Sequence, residues 1–309
     1  MVASVSRRVL DLSLDRRATL RLSAAFGAGA LISSYVRPAV AQEATPAAAA
    51  YPELVINTSE YAFDMPATTE SGYNRITMNS QAAAEEHHAM FLRFNEGVTE
   101  DQFMQVLMSG DLLGLLDVVT SYGGPMATPG GQGTVIAWLD PGTYAVVCVI
   151  PDDQGVPHVA HGMISMLEVT EGSAAAADPV ADGTITLVEM TFDGLPAEVP
   201  AGQYLWQVTN GGTQLHEMVI YQLAPGVPAA AIIAGITAPP ASPEAAPAED
   251  EGPPPFVAGT GAAPMSPGAT NFVELDAQPG EYLVACFVPD AETGMPHAMM
   301  GMISSFTVA

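Results

Sequence analysis

Two sets of histidine, cysteine, histidine and methionine recur in the same order in the two halves of this 309-residue chain. The sets are His88, Cys148, His158 and Met163, followed by His216, Cys286, His297 and Met302. Two imidazoles, one thiolate and a distant thioether form the ligand set of blue-copper electron-transfer sites. The thiolate binds strongly, the imidazoles complete a trigonal plane, and the weak thioether tunes the reduction potential. The sequence therefore predicts one mononuclear copper site in each half, or two copper ions per chain.

Two other histidines are possible ligands in the first set. His87 directly precedes His88, but alignment of the pair with Leu215-His216 favours His88. His161 lies beside Met163, and Met300 takes its place in the second half, so His161 is predicted to lie outside the ligand set. A metal site that is vestigial, or that serves another ion, remains an alternative for each half.

The two halves are copies of one unit. The segments 140–148 and 158–165 match 278–286 and 297–304. Repeats of solenoid proteins are about 20 to 50 residues long, and the copies here lie much further apart, which indicates duplicated domains. We expect domain 1 over residues 51–172, a linker over 173–181 and domain 2 over 182–309. The two cysteines occupy equivalent positions in separate domains, where they are predicted to be too far apart to form a disulfide.

Each copy has the sequence features of a β-sandwich. Short apolar segments bounded by Pro, Gly and Asn predict strands, and they lie at 54–57, 76–79, 135–139, 202–209 and 271–276. One inserted helix is expected in each copy, beginning at a capping box after Thr99 and, more weakly, over 228–236. The Pro-, Ala- and acid-rich segment 238–255 is predicted to be a disordered loop. The predicted fold class is all-β, with two tandem sandwiches.

Residues 1–41 have the features of an export signal. Five arginines precede an uncharged segment over 22–36, and Ala39-Val40-Ala41 is a small-x-small cleavage site. The segment 14–20 is similar to a twin-arginine signal, the general secretory route being the alternative. Residues 42–50 would form a flexible linker. The mature chain, with no segment long and apolar enough to span a membrane, is thus expected in the periplasm or outside the cell.

Removing the signal leaves a strongly acidic protein. Two of the 34 acidic residues lie in the signal, so 32 remain against Arg75 and Arg93, and the formal charge is −30. Such a chain cannot neutralise phosphates, which excludes nucleic acid and an anionic membrane surface as partners. The charge favours a partner protein with a cationic surface, and adaptation to salt or a biased genomic composition is the alternative cause of the charge.

The arrangement resembles the cupredoxin family, whose small Greek-key sandwiches hold type 1 copper. In that family one His follows an early strand, and Cys, His and Met lie on one later loop. Here 210–218 resembles the first element and Cys286 to Met302 the second, and the first copy supplies both again. The segment 157–163 is similar to the copper loop of two-domain nitrite reductases.

The resemblance implies an electron carrier more than an enzyme. Multicopper oxidases and copper nitrite reductases have a His directly beside the Cys, which connects the blue centre to a second copper. Here Cys148 is flanked by Val147 and Val149, and Cys286 by Ala285 and Phe287. We therefore expect a blue-copper electron carrier that is not an enzyme. A copper chaperone, store or sensor, and a non-redox binding module on the same scaffold, are the alternatives.

Overall fold

The computed structural model describes residues 51–82, 84–109, 112–172, 177–238 and 255–309. The predicted export signal (1–41), the segment 42–50 and most of the predicted loop 238–255 lie outside these residues, as does part of the predicted linker 173–181. Within the described residues no helix is long and apolar enough to cross a membrane.

Domain 1 is a sandwich of short strands with two helices inserted after the sixth strand, so the prediction of a single inserted helix is wrong for this domain. Its elements are β1 (Glu53–Ser59), β2 (Ala62–Asp64), β3 (Thr68–Glu70), β4 (Gly72–Ser80), β5 (His87–His88), β6 (Met90–Phe94), α1 (Glu100–Ser109), α2 (Leu112–Val118), β7 (Val119–Ser121), β8 (Met126–Ala127), β9 (Gln132–Leu139), β10 (Gly142–Val147) and β11 (Ile164–Thr170). One sheet has the order β2-β1-β4-β9 and the other β3-β11-β10-β6-β7.

Domain 2 repeats this plan with one inserted helix. Its elements are β12 (Gly183–Val188), β13 (Thr191–Asp193), β14 (Glu198–Val199), β15 (Gly202–Asn210), β16 (His216–Leu223), α3 (Ala229–Thr237), β17 (Phe256–Met265), β18 (Thr270–Ala277), β19 (Gly280–Ala285) and β20 (Ile303–Val308). Its sheets have the orders β13-β12-β15-β18 and β14-β20-β19-β16-β17. The predicted all-β architecture of two tandem sandwiches is confirmed.

The two domains share one sheet. Strand β18 of domain 2 pairs antiparallel with β9 of domain 1, with Asn271, Phe272 and Val273 opposite residues 137, 136 and 135, so that one sheet of each domain joins into a sheet of eight strands. One continuous apolar core lies behind this sheet and includes Ile76 and Val135 of domain 1 with Leu275 of domain 2. The interface between the domains is therefore built like the interior of a single domain.

The strands that end at the two cysteines are buried on both faces. In β10, Tyr144 and Val146 face the shared core, whereas Ala145 and Val147 pack in the cluster that contains Phe103 of α1. Strand β19 alternates in the same way, and α3 covers its outer face. The helices thus cover what would otherwise be exposed apolar sheet, because period-two alternation points successive side chains to opposite faces.

The predicted capping box begins α1. The Thr99 hydroxyl accepts the Gln102 N–H at 3.3 Å, and the Gln102 side-chain oxygen accepts the Thr99 N–H at 2.9 Å. Both bonds satisfy N–H groups that the first turn of a helix cannot pair internally. The helix therefore starts where its sequence predicts.

Candidate metal centres

In domain 1 three donor atoms converge from two strand ends and a loop. Cys148 Sγ lies 3.4 Å from His158 Nδ1 and 3.9 Å from His87 Nδ1, and the two Nδ1 atoms are 3.2 Å apart. His87 is at the start of β5, Cys148 follows β10, and His158 opens a short 3₁₀ turn. All three side chains are fully buried. They form one of two groups of three or more His, Cys, Asp or Glu donors among the described residues.

Domain 2 has the same arrangement. Cys286 Sγ lies 3.4 Å from His297 Nδ1 and 3.9 Å from His216 Nδ1, the same two distances as in domain 1. These side chains are also fully buried. The sequence prediction for domain 2 placed all three of these residues in one site, and the structure brings them together there. Each group draws its donors from a single domain.

The first histidine of domain 1 is His87, and the prediction of His88 is corrected by one residue. Strand pairing shows why, because Met90 of β6 lies opposite Val147, whereas Val219 of β16 lies opposite Ala285. Each partner directly precedes its cysteine, so Met90 corresponds to Val219. His87 lies three residues before Met90, and His216 lies three residues before Val219, so His87 and not His88 is the counterpart of His216. The choice matters because successive residues of a strand point to opposite faces.

The spacing of the donors fits a trigonally bound metal ion. Imidazole nitrogen binds a first-row metal at about 2.0–2.1 Å and thiolate sulfur at about 2.3 Å, which places three donors in a plane about 3.5–3.8 Å apart. The observed separations of 3.2–3.9 Å agree with this arrangement. One thiolate with two imidazoles is the in-plane set of a blue-copper centre.

The loop that joins each cysteine to its second histidine has the same backbone pattern in both domains. The carbonyl of Cys148 accepts the Val159 N–H at 2.8 Å, and that of Cys286 accepts the Ala298 N–H at 2.7 Å. Domain 2 has one more residue in this loop, and the extra residue lies in a turn. The Asp152 N–H reaches the carbonyl of residue 156, whereas the Asp290 N–H reaches that of residue 295. The histidines therefore occupy equivalent positions despite the difference in length.

The two methionines lie directly beside the cysteines. The Cys148 N–H donates to the Met163 carbonyl at 3.3 Å, and the Cys286 N–H donates to the Met302 carbonyl at 3.1 Å. Both methionine side chains are fully buried, and Met163 packs in one small cluster with Cys148. This placement is compatible with an axial thioether, which remains a prediction for both domains.

Each cysteine sulfur accepts a backbone hydrogen bond from the residue after the first histidine. The donors are the N–H groups of His88 and Glu217, each 3.4 Å from its sulfur. Such bonds favour negative charge on sulfur and fix its position. His88 therefore acts at the site through its backbone, next to the candidate ligand His87.

A hairpin turn over each site contains residues that the sequence analysis missed. Glu189 lies 3.9 Å from His216 Nε2, on the nitrogen away from the metal position. The Thr213 backbone N–H and hydroxyl bind this carboxylate and lower the pKa of Glu189 to about 2, so it is charged at neutral pH. At 3.9 Å the carboxylate is beyond hydrogen-bond distance of this nitrogen, and it acts on the imidazole through its charge. Glu60 is its counterpart in domain 1, and a shared Glu-x-x-Phe-Asp motif at 60–64 and 189–193 would have revealed the pair.

The residue after each of these glutamates has an uncommon backbone. Tyr61 and Met190 have φ values of +62° and +61°, in the left-handed region that non-glycine residues rarely adopt. The Tyr61 ring packs edge-on to His158 at 4.9 Å and tilted against His161 at 4.5 Å. The turn therefore covers the domain 1 site with an aromatic ring.

His161 lies outside the donor group, as predicted. Its Nε2 lies 2.8 Å from Asp152 Oδ2, and the other oxygen of Asp152 accepts the N–H groups of residues 154 and 156. His161 and Asp152 thus brace the loop that contains His158.

Burial keeps the imidazoles of His87, His216 and His297 neutral at neutral pH. Desolvation lowers the pKa of His87 to about 4, and desolvation followed by the proximity of His216 lowers that of His297 to about 4. Desolvation also lowers the pKa of His216. Neutral imidazole is the form that binds a metal, so protons do not compete with the metal at neutral pH.

These shifts predict a pH dependence of the metal-free protein. A histidine of pKa 6.5 when unfolded and about 4 when folded binds its proton first in the unfolded state, so its contribution to stability is complete above pH 6.5 and is lost as the pH falls toward 4. We expect the free energy of unfolding, measured with denaturant, to fall less steeply with decreasing pH in His87→Gln and His297→Gln than in the wild type. Equal slopes in the wild type and both variants would contradict the shifts.

Comparisons with known proteins give distant likenesses. No protein-family model matches the chain, and no curated protein matches it. A solved structure of reduced auracyanin from Roseiflexus castenholzii is 22% identical over 39% of this chain and 98% of its own, with a TM-score of 0.27. Auracyanin A from Chloroflexus aurantiacus, described as a blue copper protein, is 17% identical over 38% of this chain and 99% of its own, with a TM-score of 0.25. A copper nitrite reductase from Nitrosomonas europaea is 12% identical over 83% of this chain and 93% of its own, with a TM-score of 0.23.

Proposed function

We propose that this chain is an exported electron carrier with one type 1 copper site in each domain. The observation that carries the proposal is the pair of matching donor groups, each with two Nδ1 atoms and one Sγ atom at the spacing of a shared metal ion. A copper ion bound there supplies one-electron chemistry, Cu(I) to Cu(II). His87, Cys148 and His158 would hold it in domain 1, with Met163 as the axial ligand. His216, Cys286 and His297 would hold it in domain 2, with Met302.

The surroundings of the donors favour electron transfer over substrate turnover. The three donor side chains of each group are fully buried, which shields the site from water. The residues beside Cys148 and Cys286 are aliphatic or aromatic, and none has a side-chain donor that could bind a second metal. Among the described residues, no further group of three or more potential His, Cys, Asp or Glu ligands was found.

A copper-handling protein is the second candidate, and one feature of domain 2 favours it. Met295, Met299 and Met300 lie around His297 on the loop, and Met295 is 38% exposed. Thioethers are soft donors that suit Cu(I). A carrier retains its metal through redox cycles, whereas a chaperone transfers Cu(I) to a chelator within minutes, so dissociation of Cu(I) from the reduced protein separates the two candidates.

The charge of the chain favours a cationic partner. Beyond the predicted signal, Arg75 and Arg93 are the only basic residues besides histidine, and Arg75 is paired with Glu274 and Glu53 at 2.6 and 2.7 Å. A surface of this sign steers cationic proteins toward it and repels anionic ones. We infer that the redox partner has a basic surface, and that their association weakens as salt is added.

Reconstitution tests the proposed function. We expect the mature chain to bind close to two copper ions per molecule and to show the intense visible absorption of a copper–thiolate bond, since both donor groups are complete. The band should disappear on reduction and return on oxidation. A protein that is colourless after loading with Cu(II) and desalting, or that retains less than one ion, would contradict the proposal.

A further inference from the structure

A histidine and a glutamate meet across the domain interface, between the two candidate metal centres. His88 Nε2 lies 3.7 Å from Glu217 Oε2, and neither side chain is more than 1% exposed. His88 directly follows the candidate ligand His87, and Glu217 directly follows His216. The contact therefore joins the two centres through a single residue of each domain.

The backbone N–H of each residue also donates a hydrogen bond to the cysteine sulfur of its own centre. The His88 N–H donates to Cys148 Sγ, and the Glu217 N–H donates to Cys286 Sγ, each at 3.4 Å. The other oxygen of Glu217 accepts the N–H of Phe287 at 2.8 Å, and Phe287 directly follows Cys286. Covalent bonds and one hydrogen bond on each side thus connect the two sulfurs, except for the 3.7 Å step between His88 Nε2 and Glu217 Oε2.

Other contacts hold the two domains together without the His88–Glu217 pair. Sheet pairing between β9 and β18 and the two hydrogen bonds from Arg75 to Glu274, both 2.6 Å, already join them. Burying a histidine and a carboxylate costs desolvation energy that an apolar pair of similar size would avoid. The position of the pair, between two cysteine sulfurs, suggests a role other than docking.

We propose that His88 and Glu217 form an electron-transfer route between the two metal centres, an inference that rests on the proposed function. One electron leaves the reduced copper of one domain, which becomes Cu(II), and reduces the oxidised copper of the other to Cu(I). No bond breaks and no proton moves. His88 and Glu217 act as positioning residues that bring the two sulfurs into electronic contact. An electron accepted at one domain can then leave from the other.

The test follows electron movement inside the full-length, copper-loaded chain. In a Met302→Leu background, loss of the axial thioether raises the reduction potential of the domain 2 site, which gives the electron a direction. A substoichiometric pulse of reducing radicals then reduces both sites at random. Electron transfer from the site of domain 1 to the site of domain 2 appears as a later absorbance change. Its rate does not depend on protein concentration, because the transfer is intramolecular. We expect His88→Leu, which keeps the backbone N–H, to slow this phase by about tenfold, equivalent to about 1.4 kcal/mol of barrier.

Tyr221→Phe is the matched control. It removes another polar contact across the same interface, the half-buried hydrogen bond from the Tyr221 hydroxyl to Glu86 at 2.8 Å, and Glu86 directly precedes His87. We expect its rate to stay within about twofold of the parent, a barrier change of less than about 0.5 kcal/mol. Copper content, visible bands and both reduction potentials of Tyr221→Phe should match those of the parent, and the rate in His88→Leu is compared with the parent at its own measured potentials.

The outcomes separate the route from the function on which it rests. If neither site binds copper or cycles between redox states, the proposed function fails and the route with it. If both sites load and cycle but the concentration-independent phase is missing, or His88→Leu leaves its rate unchanged, the route alone is overturned.

A second readout needs no metal. Residues in contact show non-additive effects on stability, so in the metal-free protein the shift in unfolding midpoint caused by His88→Leu should be smaller in a Glu217→Gln background. Gln keeps an oxygen for the Phe287 N–H and removes the carboxylate. Additive shifts would show that the two side chains do not interact and would overturn the route.

Discussion

Cys286→Ser is expected to remove the visible band of domain 2 and leave that of domain 1 intact, so that the loaded protein loses about half of its colour. The band is the charge transfer from thiolate to copper, and a hydroxyl oxygen cannot replace the soft anionic sulfur. Serine is close to cysteine in size, so the fully buried position is still filled. The measurement is the absorption spectrum per chain, with the copper content determined in parallel.

Cys148→Ser is the matched control, because it removes the same atom from the equivalent position of the other domain. It should remove the complementary half of the colour, and the double variant should be colourless. An unchanged spectrum in either single variant would show that its cysteine is a buried apolar residue and that no thiolate binds the metal there. The electron-carrier proposal would then fail for that domain.

Much of the fold could be predicted from the sequence because its signals are local. Short apolar segments bounded by Pro, Gly and Asn predicted the cores of β1, β4, β9, β15 and β18, and the capping box at Thr99 predicted the start of α1. The Cys–His–Met loops could be predicted for the same reason, since each lies on one short stretch of chain and has a left-handed glycine, Gly162 or Gly301, directly before its methionine. Here the order of residues alone carries the information.

The choice between His87 and His88 could not be made from local pattern. The two adjacent histidines point to opposite faces of β5, and the register of the following strand, β6, against β10 decides which one reaches Cys148. A slip of one residue reverses every side chain. Pairing between distant strands fixes that register, and a single sequence does not show it.

The contact between the domains is non-local for the same reason. The pairing of β18 with β9 joins segments from the two halves of the chain, and nothing in either strand distinguishes this edge from another exposed edge. The meeting of His88 with Glu217 follows from that pairing. The sequence alone therefore does not show that His88 and Glu217 meet between the two candidate centres.

Gly124→Ala is expected to destabilise the metal-free protein by about 2–6 kcal/mol, the sum of about 1–3 kcal/mol for backbone strain and about 1–3 kcal/mol for overpacking. Gly124 has a φ of +128°, and an added Cβ would overlap the carbonyl oxygen of Ala89. Ala89 follows His88, whose N–H is bonded to Cys148 Sγ. Backbone displaced at Ala89 should therefore also weaken or remove the domain 1 band. Denaturant unfolding and the absorption spectrum report the two effects separately.

Gly130→Ala separates this clash from the general cost of losing a glycine. Gly130 also has a positive φ, +69°, but no heavy atom outside its chain neighbours lies within 4 Å of the added Cβ. It should cost only the penalty of about 1–2 kcal/mol for alanine in a left-handed conformation, and both visible bands should be retained. Equal losses of stability in the two variants would contradict the close approach of Gly124 to Ala89. A domain 1 band unchanged in Gly124→Ala would show that the strand bearing His87 and His88 holds its position independently of the segment packed against it.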